Sequence, residues 1–444
     1  IIEKLIPKDG YDNFYMAACP NGATEVNSYQ QLVYKNIYNG IDLKWYNKNG
    51  YLKYDYMIAP GANYKNIQLT YSGAESLSIN SNGELVITTP LGKILEQAPL
   101  VKQNNKILKS AWKIEKNNVS FFIENYNPAL SLIIDPGVRI WGTYYGGAGD
   151  EVILRTVIDP TGNVYAAGHT NSIGGTFIAT AGSHQSAYGG GVDNAFLAKF
   201  NSSSVRQWGT YYGGPVREFG ICCTLDPTAS NIYMSGHSLS NTGNIVATPG
   251  AHQTSNGGIF DAFLVKFNTN GIRQWGTYYG DSGSDFGMSC ATDALGNVYL
   301  AGKGDVSTGT VIATASSHQP TFGGLEDAFL VKFNSNGVRQ WATHYGGTGT
   351  DNGYFCVTDA QNNVYLSGFT DCTNTLVIAT PGAHQTTYGA GGLDAFIVKF
   401  NSNGVRQYGT YYGGSGEDRG YGCMVDANNY VYLTGKTSSG NNIS

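Results

Sequence analysis

Charge is scarce in this chain. Of its 444 residues only 13% are Asp, Glu, Lys or Arg, with 27 basic and 32 acidic, for a net charge of −5. No basic patch of the kind that neutralises a phosphate backbone is present, so nucleic acid is not an expected partner. No apolar run approaches the roughly 20 residues that a membrane-spanning helix needs. The seven cysteines include no CxxC pair. Nucleophile elbow, phosphate loop, HExxH and paired-carboxylate signatures are all missing, and the chain reads as non-catalytic. It begins at Ile1 without Met or a signal peptide and stops partway through a repeat. The expectation is therefore an ordered part of a longer polypeptide.

Glycine (60 residues) and tyrosine (32) are abundant. With Asn, Thr and Ser in short alternating runs, they suit strands and tight turns. One stretch organises the rest. RIWGTYYGG at 139–147 returns as RQWGTYYGG (206–214), RQWGTYYGD (273–281), RQWATHYGG (339–347) and RQYGTYYGG (406–414). Its lead aromatics, Trp141, Trp208, Trp275, Trp341 and Tyr408, are 67, 67, 66 and 67 residues apart. A fixed period of this kind marks a repeat architecture.

Residues 1–136 lie outside the period and read as an antiparallel β domain. Runs such as LVYKNIY (32–38), LKYDYMIA (52–59) and VSFFIENY (119–126) are separated by NG, PG and SNG turns, and SNG at 81–83 is the clearest hairpin. Residues 137–444 hold four complete repeats and a partial fifth. Each repeat has four strand-like runs, in the third unit GMSCATD, NVYLAG, DAFLVKF and RQWATHY. DxxGN and NxxG turns join them, and a long excursion carrying an HQ motif separates the second run from the third. Four antiparallel strands per unit in tandem give an all-β fold, an N-terminal antiparallel domain followed by a β-propeller of 66–68-residue blades. A β-solenoid is the runner-up. Either further blades lie beyond Ser444, the favoured expectation, or the strand at 139–145 joins the half blade to close a five-bladed ring.

The units WGTYYGG…DxxGNVYxxG…ATPGAHQ…GGxDAFLVKF resemble the SBBP β-propeller repeats of secreted bacterial proteins, and residues 33–103 resemble the β-rich domain that often precedes them. The resemblance covers most of the chain. It implies a large exported protein, of Bacteroidetes type and with type IX secretion, placed outside the cell or on its surface. The family has no established catalytic residues to carry over, and no sorting domain is present in this sequence.

Several repeated polar positions are site candidates. An acid stands ten residues after each lead aromatic: Glu151, Glu218, Asp285, Asp351 and Asp418. These would either cap local turns through backbone N–H groups, which is favoured, or form an axial ring that a cation such as calcium neutralises. His184, His252, His318 and His384 recur in the HQ motif. One per blade cannot converge on a zinc ion, so they are expected to pin their own loops, with His and Gln bonding backbone groups. Asp261, Asp327 and Asp394 begin the DAF strand, with Asn194 in register in the first unit, and Lys199, Lys266, Lys332 and Lys399 follow. Salt bridges between blades or at edges are the expectation there. Cys223, Cys290, Cys356 and Cys423 hold one repeated position and read as small buried apolar residues, whereas Cys19, Cys222 and Cys372 have no framework spacing. No cofactor is expected beyond calcium.

The reading that follows is a secreted or surface-anchored scaffold or adhesion module that presents blade-face loops to a protein or glycan. The alternatives are a subunit of an extracellular filament or surface layer, with self-association, and a propeller carbohydrate-active enzyme. The enzyme would need a cluster of non-repeated polar residues near the axis.

Overall fold

The computed structural model describes residues 2–16, 19–48, 51–89, 92–104, 106–135, 143–174, 176–202, 204–241, 245–305, 311–389 and 391–440. Trp141 and residues 139–142 of the lead strand expected at 139–145 lie outside the described residues. The chain divides into two compact units, Ile1–Gly142 and Thr143–Ser444.

The first unit is built of β-sheets. Its largest sheet has seven strands and begins with a long hairpin, Ile2–Met16 against Cys19–Tyr38. The SNG hairpin forms, with Ser76–Ile79 paired to Leu85–Thr89 and Gly83 at φ +78°. Ile41, Ile67, Val101, Val119 and Ile134 are fully buried in its core. Gly92–Glu96, Lys106–Leu108 and Ser110–Glu115 are among the strands that the sequence does not announce. Their polar content hides the alternation.

The second unit is four four-stranded antiparallel sheets and one two-stranded sheet, each with strands in chain order. The innermost strands are Glu151–Ile158, Glu218–Leu225, Asp285–Thr292, Asp351–Thr358 and Asp418–Val425. All five border one central cavity, which makes the sheets the blades of a propeller. The half blade ends with Val431–Thr437. Residues 143–147 form no strand, but the Tyr145 hydroxyl donates to the Ile178 carbonyl at 2.5 Å.

The third strand of each blade shows why the sequence reads as it does. Asp327–Phe333 is buried at every position. A blade packs on a neighbour through both faces, so an alternating apolar–polar pattern gives way to a continuous apolar run.

The blades are tied by side chains from that strand and the next one. The indole Nε1 of Trp208 donates to the Thr269 carbonyl of the following blade at 2.9 Å, and Lys199 Nζ donates to the same oxygen at 3.2 Å. Trp275 and Lys266 share the Ser335 carbonyl, and Trp341 and Lys332 share Ser402, each at 3.0 Å. The lysines also approach acids of their own blade, Lys332 at 3.6 Å from Asp293 and Lys399 at 3.2 Å from Asp359. The tyrosine hydroxyls add a second tie, with Tyr212 donating to Val246, Tyr279 to Ile312 and Tyr345 to Ile378.

Candidate functional site

The acidic positions are built from the turn that ends each lead strand. In four of them a backbone N–H four residues upstream donates to the carboxylate: Gly214 to Glu218 (2.9 Å), Asp281 to Asp285 (2.8 Å), Gly347 to Asp351 (2.7 Å) and Gly414 to Asp418 (2.8 Å). Hydroxyls add to this, from Ser238 on Glu218, Thr370 on Asp351, Thr170 on Glu151, and Ser439 on the same Asp418 Oδ2, whereas the Oδ1 of Asp285 and of Asp418 is buried with no hydrogen-bond partner. Glu218, Asp285 and Asp351 are fully buried and Asp418 nearly so. This is the geometry of a turn-capping carboxylate. Among the described residues no group of three His, Cys, Asp or Glu side chains is arranged to hold a metal ion.

A second carboxylate stands beside the caps Asp285 and Asp418. A Cβ placed on Gly280 would lie 2.8 Å from both Asp261 Oδ1 and Asp285 Oδ2, and one on Gly413 would lie 2.8 Å from Asp394 Oδ1 and 2.9 Å from Asp418 Oδ2. At the first junction the partner is an amide, and Asn194 Nδ2 donates to Glu218 Oε2 at 3.0 Å. Where the partner is Asp, the Oδ1 of Asp261, Asp327 and Asp394 is buried with no hydrogen-bond partner. Burial first, then neighbouring carboxylates for Asp261 and Asp394, pushes Asp261 and Asp394 up to about 6. Burial raises Asp327 to about 7 and Asp351, with Asp327 and Asp371 adding, to about 7. Asp285 rises to about 8, again from burial, with Asp281, Asp261 and Asp305 adding.

In the HQ motif the two residues divide the work. Gln185 pins the loop, its Nε2 donating to Gly213 O (2.9 Å) and its Oε1 accepting from Gly213 N (3.0 Å). Gln253, Gln319 and Gln385 accept from Gly280, Gly346 and Gly413 in the same way. The histidines do something else than expected. His184 packs its ring against Tyr212 and Phe267, His252 against Tyr279 and Phe333, and His318 against Tyr345 and Phe400, so these rings fill space next to the following blade. His384 meets Tyr412. Burial, with a nearby arginine, lowers His184, His252 and His318 to about 4, so each is a neutral ring at physiological pH.

The axis holds what the sequence reading missed. A cavity of about 450 Å³ is lined by residues of all five innermost strands, among them Arg155, Cys222 and Phe355. Every one of these strands has a register shift at the same place, just before Arg155, Cys222, Ser289, Phe355 and Gly422. A bulge bends its strand and re-aims the side chains beside it. The position is occupied by five different residue types, in strands that otherwise repeat, and that disagreement was the signal available in the sequence. The repeated cysteines follow one residue later, and Cys223, Cys290, Cys356 and Cys423 are buried, as is Cys222. The six cysteines other than Cys19 are free thiols.

Residues 1–137 match a domain of unknown function (DUF7948), and residues 140–175 match the SBBP β-propeller repeat. The chain is also 24% identical over 366 residues to an uncharacterized WD repeat-containing protein of Acanthamoeba polyphaga mimivirus. The chain is a β-propeller repeat protein. The alignment with the viral relative covers 71% of the propeller protein and 26% of the relative. Solved structures similar to it include a gluconolactonase from Xanthomonas campestris (TM-score 0.31, 9% identity, 98% of this chain and 95% of that one). A lignostilbene dioxygenase from Pseudomonas brassicacearum gives a TM-score of 0.33 at 12% identity, over 98% and 85% of the two chains. Likeness at these TM-scores carries no argument about chemistry.

Proposed function

We propose that this propeller protein is a non-catalytic scaffold or adhesion module, secreted or displayed on a cell surface, that engages a protein partner through one face of the disc. Propeller repeats suggest protein interaction, and the resemblance of the units to those of exported proteins supports the location. The observation that carries the reading is an arc of aliphatic side chains. Val205, Ile272, Val338 and Val405 follow the turn before the fourth strand in successive blades, NSSS in the first and NxxG in the others, and are 56%, 59%, 56% and 56% exposed. Their turns are linked blade to blade by the tryptophan and lysine bonds to Thr269, Ser335 and Ser402. A repeated anchor on a rigid frame supports multivalent contact, in which weak single contacts add through effective concentration.

The test replaces all four with serine. The variant should keep the wild-type melting temperature, since the side chains are exposed. It should lose about a hundredfold in avidity for a protein cross-linked to the wild-type face, while each single substitution costs only a few-fold. Equal avidity of the fourfold variant and the wild type would overturn the reading.

A further inference from the structure

The axial cavity is a second place where this molecule is organised for recognition, and it differs from the rim arc in being asymmetric. Arg155 is the only charged side chain in its lining. Among the described residues no carboxylate lies within ion-pair distance of it. Its guanidinium rests over the Phe355 ring, on the far side of the axis, at 4.3 Å from the ring centroid. A guanidinium over an aromatic face can still present its N–H fork, which matches the two oxygens of a carboxylate. The remaining wall is apolar or weakly polar, with Leu154, Val157, Ala291 and Val357 beside the thiols. The volume of about 450 Å³ falls in the range of small organic ligands, roughly 300–1,000 Å³.

We propose that this cavity binds a small organic carboxylate, with Arg155 holding the charge, Phe355 fixing the guanidinium, and the apolar wall taking the body of the ligand. The Cys222 thiol lies on the same wall. The Cys222 thiol is drawn down by its hydrogen bond with Cys290, against the opposing effect of burial and with a smaller pull from Arg155. A bare inorganic anion gains the charge contact and nothing from the wall, so size and apolarity of the acid should matter.

The experiment titrates the chain with benzoate and hexanoate, with benzyl alcohol and hexanol as uncharged counterparts, and with inorganic phosphate, read by calorimetry. Saturable binding of the acids at millimolar concentration or below is expected, with the alcohols and phosphate at least about tenfold weaker. Arg155→Met should cost about tenfold or more for the acids and leave the ligand-free melting temperature unchanged, because the side chain is exposed. Cys222→Ala should retain binding, because the acid is held by Arg155 and not by the thiol. No saturable binding of either acid, phosphate binding equal to benzoate, or binding kept in Arg155→Met overturns the proposal. None of these outcomes bears on the rim arc, so the two readings fail separately.

Discussion

Asp327→Asn stabilises the propeller at pH 8, does so less at pH 5, and leaves it unchanged below about pH 4. The argument comes from the first junction, where Asn194 donates to Glu218 through its amide nitrogen at 3.0 Å. At the other junctions an aspartate Oδ1 occupies the same place with no partner. Two neighbouring buried carboxylates repel each other unless one carries a proton. Burial accordingly raises Asp327 and Asp351 from an ordinary 3.8 to about 7. The sign follows from linkage. The folded state holds a proton that the unfolded chain releases, so this contribution is fully present below about pH 4 and is lost as pH rises through about 7. A rise of about three units corresponds to roughly 4 kcal/mol as an upper figure. Asp261 and Asp394 face Asp285 and Asp418 in the same arrangement, with Asp281 and Asp305 adding to the first pair. The triple variant Asp261→Asn, Asp327→Asn, Asp394→Asn should therefore flatten the decline of melting temperature between pH 5 and 8. An unchanged decline in the triple variant would show that the pairs do not share protons.

The second large effect is at the indole latch. Trp275 lies over the turn of the next blade, where Gly337 has φ +79° and an added Cβ would sit 2.9 Å from the indole Cδ2. Glycine is needed twice there, for the left-handed backbone and for the close approach. Trp275→Ala removes ring burial and the bond to Ser335, and should cost about 3 kcal/mol. Gly337→Ala should cost about 2 kcal/mol from strain and collision together. In the double variant the collision is gone, so the two losses add to less than their sum by at least about 0.5 kcal/mol. Denaturant melts of the four chains measure this. Strict additivity would mean that the indole and the glycine do not meet.

Much of the fold was legible because its causes are local and repeated. The lead aromatics, the NxxG turns and the continuous apolar third strand each state their structure in a few residues, and the period multiplies the signal. The tyrosine hydroxyls bond the next excursion. The partners of these groups were less legible, since they lie about one repeat away. That Trp208 and Lys199 meet on the Thr269 carbonyl, or that His252 stacks on Phe333, depends on the rotation between adjacent blades. The acid pairs across Gly280 and Gly413 are hidden for the same reason. At the axis the obstacle was different. A repeat is legible through what its copies share, whereas Arg155, Cys222, Ser289 and Phe355 stand where the copies differ.

The central claim is that the repeated acids belong to the framework, as turn caps and proton-sharing pairs. The most direct measurement is a thermal melt of the propeller near neutral pH with and without millimolar calcium. Carboxylates already engaged by backbone N–H groups, hydroxyls and a shared proton predict no shift. A saturable rise in melting temperature of more than about 5 °C, the mark of a ligand that binds the folded state alone, would contradict the claim and return the acids to a cation ring.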